Sequence, residues 1–113
     1  MTPYELMTDE EKVAFTGLLR LMIRMDGVLS PQEVATISAL AREIETPGLW
    51  SLMNETSLLE RDELVEHVDQ VRPQMRRWIH GILTRVAQSD GMDESELELL
   101  WWLEKRWDLP RLP

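Results

Sequence analysis

An internal repeat constrains the fold of this 113-residue chain more than any other sequence feature. Residues 19–27 have a counterpart in residues 83–91, and both segments end in Asp-Gly at a constant offset of 64 positions. A helix-start signal follows each Asp-Gly, in residues 30–33 and again in residues 93–96. Each copy therefore predicts an apolar helix, a tight turn and a second, capped helix.

Apolar residues recur at the spacing of helices with one buried face, and no segment alternates as a β-strand would. Capping patterns or prolines start helices at Thr8, at Ser30, near Ser57 and at Pro73, and a short helical turn is expected at 49–53. The last helix is expected over residues 93–107. We predict one all-α domain over residues 1–113, with five to seven helices arranged as two pseudo-symmetric hairpins in one bundle.

Composition excludes several classes of function. The net charge of −9 disfavours binding to nucleic acid or anionic lipid, because phosphate groups would be repelled. The chain has no cysteine, and it has no apolar run of the roughly 20 residues that a membrane-spanning helix needs. Its first residues do not follow the pattern of a secretory signal. These features favour a cytoplasmic protein without disulfides.

The last helix is rich in tryptophan and apolar on more than one side. Trp102 falls away from the main apolar stripe of this helix. One interpretation is burial between neighbouring helices or under the C-terminal residues. The other is an exposed aromatic contact for a protein partner. On the second interpretation, the candidate partner-binding residues are Trp102, Asp93 and Glu94.

Four carboxylates occupy corresponding places in the two copies: Asp26, Glu33, Asp90 and Glu96. The structural interpretation is that the aspartates brace their turns and the glutamates cap the following helices. The alternative is a divalent-metal site formed by carboxylate oxygens. An EF-hand is excluded, because position twelve of the two loops would be Ile37 and Trp101, which cannot chelate calcium.

No catalytic constellation is found, and we predict a protein that is not an enzyme. The two histidines, His67 and His80, are separated and lack cysteine partners for a structural zinc site. His80 is expected to be solvated, since it lies opposite the apolar face of its helix. Glu104 lies near the apolar flank of the last helix, where an ion pair or partial exposure is expected.

The two motifs, at residues 25–33 and 89–96, resemble those of the tellurite-resistance TerB family: an apolar helix, Asp-Gly, and a capped helix with an acid at its third position. The order and spacing fit nearly the whole chain. The resemblance implies an all-helical TerB-like domain that binds a protein partner in a bacterial stress-response or defence setting. It also implies, as an alternative, a divalent-metal-associated sensor or sequestering domain. The tryptophan-rich last helix and the shorter second turn depart from the family pattern.

Overall fold

The structure, a computed structural model, describes residues 2–24, 30–56, 59–89 and 94–109. The described residues form six α-helices and no β-strand, which confirms the predicted all-α fold. The helices are α1 (Asp9–Arg24), α2 (Pro31–Glu43), α3 (Leu49–Thr56), α4 (Arg61–Asp69), α5 (Pro73–Gln88) and α6 (Glu94–Arg106).

The two copies correspond helix by helix. Helices α1 and α5 each have 16 residues and are offset by 64 positions at both ends. Helices α2 and α6 each have 13 residues and are offset by 63, because the second turn is one residue shorter. The buried positions also correspond, as in Phe15 with Ile79, Leu19 with Leu83, Ile37 with Leu100, and Leu40 with Leu103. The same helical frame has thus been used twice.

Helices α2 and α6, the second helix of each copy, also end in the same way. After α2, Glu45 has a φ of 55°, and the N–H of Thr46 donates to the carbonyl of Ala41 at 2.8 Å. After α6, Asp108 has a φ of 53°, and the N–H of Leu109 donates to the carbonyl of Glu104 at 2.8 Å. A left-handed residue with this bond is the Schellman end of a helix. The equivalence therefore extends past the last helical turn of each copy.

Helix α1 starts with the predicted capping box and is the most central helix. The N–H of Thr8 donates to Glu11 Oε1 at 2.8 Å, and the N–H of Glu11 donates to Thr8 Oγ1 at 3.2 Å. Glu11 is fully buried and also binds Arg72, the residue before α5. This contact joins the start of the first copy to the start of the second.

Helix α1 packs against α3, α4 and α5 around a single hydrophobic core. Its close approach to α4 depends on Gly17, where an added Cβ would lie 2.5 Å from Leu64 Cδ1. Helix α6 packs on α5, as expected for a hairpin, whereas α2 packs more closely on α5 than on α1. The two hairpins are therefore alike in their helices but not in their helix contacts.

Three local predictions need correction or fall outside the described residues. The turn expected at 49–53 is the two-turn helix α3, which ends at residue 56. The apolar spacing of α2 predicts that Val34 lies on its buried face, but Val34 is 38% exposed. The predicted cap at Ser57 lies outside the described residues, and α4 begins after Glu60, whose side chain makes no capping hydrogen bond.

Candidate functional site

The predicted metal-binding residues lie only partly within the described structure. Asp26 and Asp90 lie outside the described residues, as does Asp93 at the start of α6. Glu33 and Glu96 are described and occupy equivalent positions in α2 and α6, where they are 4% and 6% exposed. The structure therefore reports on the glutamates of the predicted site and not on its aspartates.

Glu33 forms the capping box that the sequence predicts. The N–H of Ser30 donates to Glu33 Oε1 at 3.1 Å, and the N–H of Glu33 donates to Ser30 Oγ at 3.0 Å. These bonds satisfy two backbone donors at the start of α2, which is the structural role of an acid at this position. The burial of Glu33 is thus accounted for without a bound cation.

Among residues 2–24, 30–56, 59–89 and 94–109, no group of three or more His, Cys, Asp or Glu side chains is placed to hold a metal ion. The divalent-metal hypothesis remains a prediction that depends on the turn aspartates.

Trp102 is 36% exposed, so it is not completely buried between neighbouring helices, and its interpretation as a partner contact remains a prediction. Its ring lies against the guanidinium of Arg106, with 5.2 Å between Arg106 Cζ and the ring centroid. Arg106 in turn donates through Nη2 to Asp69 Oδ2 at 2.8 Å. This hydrogen bond is the main cause that holds the pKa of Asp69 below its ordinary value of 3.8. The Trp102 ring is thus held by an ion pair between α4 and α6.

Trp102 forms part of a groove between α1, α4 and α6, which we call the α1/α4/α6 groove. Its volume is about 570 Å³, within the usual range for ligand and peptide pockets. Its apolar lining comes from all three helices and includes Leu18, Leu21, Leu64, Val65, Leu99 and Trp102. Charged groups at its edges include Arg61, Asp62, Glu98 and Arg106. The lining is apolar and the edges are charged, which is the arrangement of a recognition site.

The internal repeat gives this groove a counterpart with which it can be compared. The surface between α2 and α5 is lined by Thr36 and Ala39, among others. At the offset of 63, these residues correspond to Leu99 and Trp102 in the α1/α4/α6 groove. A small and a polar residue in one copy are therefore replaced by two large apolar residues in the other.

The ion pair that bridges the counterpart surface is also missing from the groove. Arg85 Nη2 donates to Glu43 Oε2 at 2.8 Å and connects α5 to α2. The corresponding residues are Leu21, at the offset of 64, and Arg106, at the offset of 63. Leu21 cannot form an ion pair, and Arg106 binds Asp69 of α4 instead. The groove has thus lost the contact that links the equivalent helices in the other half.

A buried polar pair between α5 and α6 was not predicted from the sequence. His80 Nε2 lies 3.5 Å from Glu104 Oε2, and the two side chains are 19% and 11% exposed. The prediction that His80 is solvated was wrong, because α6 packs over the side of α5 that carries it. This contact is an ion pair only when His80 is protonated. The corresponding residues of the first copy, Thr16 and Ala41, carry no charge, so the pair is specific to the second copy.

Comparisons with family models, with curated proteins and with solved structures find no match. The likeness to TerB domains therefore rests on the two sequence motifs. None of the helices in the described part of the chain is long and apolar enough to cross a membrane.

Proposed function

We propose that this chain is a non-enzymatic protein-interaction module of the TerB-like type, acting in a bacterial stress-response or defence setting. The observation that carries the proposed activity is the α1/α4/α6 groove, with Trp102 in its wall. The biological setting is taken from the resemblance of the two Asp-Gly motifs to the TerB family.

Three features support partner binding at this groove. Its apolar lining is wide enough to receive side chains from a second protein. Trp102 is partly exposed and held in place by Arg106. Tryptophan is one of the residue types most enriched among binding hot spots. The equivalent surface in the other half has Ala39 in place of the tryptophan. The aromatic wall is therefore not required by the helical frame itself.

The proposal is tested by capture followed by reconstitution. The wild-type chain, Trp102→Ala and Trp101→Ala are immobilised, and proteins retained by the wild type are identified and purified separately. Trp101 is the matched control, because it is 43% exposed on the same helix and does not line the groove. Circular dichroism and thermal melting confirm that both variants remain folded.

We expect a purified partner to bind the wild type and Trp101→Ala alike, and to bind Trp102→Ala about 30-fold more weakly, as for a tryptophan hot spot of about 2 kcal/mol. The proposal is wrong if no purified protein distinguishes the two tryptophan variants.

A further inference from the structure

The lining of the α1/α4/α6 groove extends over several turns of α4 and α6. The α6 residues that line it extend from Ser95 to Arg106, a length of about 16 Å or three turns. Those of α4 extend from Arg61 to Val68, along nearly the whole of that helix. We call α4 and α6 the two walls of the groove, and α1 adds Leu18 and Leu21 to its lining. An occupant of about three helical turns would therefore complete the packing of three existing helices.

Two specific contacts between the walls lie at one end of the groove. Arg106 binds Asp69, and Trp107 Nε1 donates to the carbonyl of Val68 at 3.0 Å. Both contacts lie at the C-terminal ends of α4 and α6. At the N-terminal ends of the two walls, Asp62 and Glu98 are exposed, and no hydrogen bond or ion pair to either is found within the described residues.

The edges of the groove carry two arginines, Arg61 and Arg106, and two acids, Asp62 and Glu98, whereas α4 and α6 are acidic when each whole helix is counted. Helix α4 carries four acids against one arginine, a net charge of −3, and α6 carries four acids against two bases, a net charge of −2. Helix α1 has three acids and three bases. The arginine nearest Trp102 is already paired with Asp69. An occupant that is itself acidic would be repelled, which includes a second copy of this chain with its charge of −9.

Resting on the proposed function above, we propose that the partner segment is a basic amphipathic helix. Its apolar stripe lies on Leu21, Val65 and Trp102, three of the less buried apolar residues of the lining, and its lysines or arginines lie against Asp62 and Glu98. This is the helix-in-groove mode of recognition, in which anchors at helical spacing supply affinity. Charge complementarity supplies selectivity and a faster encounter.

The probe is a capped synthetic peptide of about 14 residues, with leucines along one helical face and lysines elsewhere. One control peptide has the same composition in an order that spreads the leucines around the helix. The other keeps the leucine stripe and has glutamates in place of the lysines. Binding is measured by isothermal titration calorimetry at about 50 mM and about 200 mM salt.

Two pairs of variants locate the site. Trp102→Ala removes the aromatic wall, and Trp101→Ala is its matched control. We expect the leucine–lysine peptide to bind the wild type at one site, with about 10-fold weaker binding to Trp102→Ala and little change for Trp101→Ala. The scrambled and glutamate peptides are expected to bind at least about 10-fold more weakly than the probe.

A double variant, Asp62→Asn with Glu98→Gln, removes the two acids at the groove. Its control is a second double variant, Glu45→Gln with Glu55→Gln, which changes two exposed acids that do not line the groove. The first pair should weaken binding by about 5-fold at low salt and reduce its salt dependence, since two nearby charges are lost. The second pair changes the net charge equally and should have little effect. Equal effects of both pairs would show that binding depends on net charge alone and would overturn the inference.

Other outcomes separate this inference from the proposed function. If a purified partner requires Trp102 but binds equally well to Asp62→Asn with Glu98→Gln at both salt concentrations, the partner is not a basic helix and the proposed function stands. If no purified partner requires Trp102, the proposed function fails. If the wild type dimerises in sedimentation and Trp102→Ala does not, the groove receives a second copy and the inference is wrong.

Discussion

The contact between Glu11 and Arg72 joins the starts of the two copies and gives the sharpest stability prediction. Glu11 is 0% exposed, and its carboxylate accepts hydrogen bonds from four donor groups. Oε1 accepts from the N–H of Thr8 and from Arg72 Nη2, both at 2.8 Å. Oε2 accepts from the backbone N–H of Arg72 at 2.9 Å and from Arg72 Nε at 3.0 Å. A neutral side chain at position 11 would leave some of these buried donors without an adequate acceptor.

The magnitude follows from the pKa of Glu11. Burial alone would raise this pKa, but the hydrogen bonds from Arg72 and Thr8 and the charge of Arg72 outweigh burial and lower it from 4.5 to about 2. At about 1.4 kcal/mol for each tenfold change, this corresponds to about 3 kcal/mol of stability. Because the Arg72 side chain is 41% exposed, we reduce the expected value to about 2 kcal/mol.

The sign of the pH dependence is fixed by the direction of this change. The folded state holds the Glu11 carboxylate ionised more strongly than the unfolded state does. Its contribution is therefore complete above the unfolded pKa of about 4.5 and is lost as the pH falls through the folded pKa of about 2.

The assay is urea unfolding of the wild type, Glu11→Gln and Glu10→Gln at several values between pH 7 and about pH 2. Glu10 is the matched control, because it is exposed in the first turn of the same helix. We expect Glu11→Gln to lose about 2 kcal/mol at pH 7 and to approach the wild type near pH 2. Glu10→Gln should stay within about 0.5 kcal/mol of the wild type. A loss for Glu11→Gln that is the same at every pH would refute the ion-pair argument.

Substitutions at three further positions test other contacts by urea or thermal unfolding. Gly17→Ala should change the free energy of unfolding by less than about 1 kcal/mol, because better helix propensity offsets the displacement of Leu64. Gly17→Val should cost about 2 kcal/mol. Equal effects of the two substitutions would show that α1 and α4 are not closely packed at this position. Glu45→Gly should raise Tm by about 2 to 5 °C, since it removes a side chain from a left-handed position; a lower Tm would contradict the Schellman assignment. Trp107→Phe should cost about 2 kcal/mol, because the buried carbonyl of Val68 loses its donor; no loss would show that this bond is not formed.

The helices could be predicted because their signals are local. The α1 cap uses Thr8 and Glu11, the α2 cap uses Ser30 and Glu33, and each set lies within one helical turn. The sequence therefore predicted α1 to run from a cap at residue 8 to about residue 25, and the structure places it at Asp9–Arg24. Helix α4 was less well predicted, since Glu60 at its start makes no side-chain capping bond and gives no such signal.

The contacts between helices, including those at the candidate site, could not be predicted in the same way, because their partners are far apart in sequence. Arg106 contacts Asp69 across 37 residues, and Arg72 contacts Glu11 across 61. Neither the periodicity nor the capping pattern indicates which helices become neighbours. The helical wheel did place Trp102 away from the apolar stripe, but only the position of α4 makes the surface around it a groove.

The repeat explains why this groove can be specialised without loss of the fold. In both copies the buried stripe is kept, with Leu40 matched by Leu103 and the two helix pairs equal in length. The difference between copies at Ala39/Trp102 falls instead on residues that line surface grooves, whereas Leu99, the counterpart of Thr36, is 6% exposed and belongs to the core. A change on the core side would leave a cavity or overpack the interior, at a cost of several kcal/mol. A change on the groove side alters what the surface can bind. One copy of the repeat can therefore acquire a partner site, while an ion pair bridges the equivalent helices of the other copy.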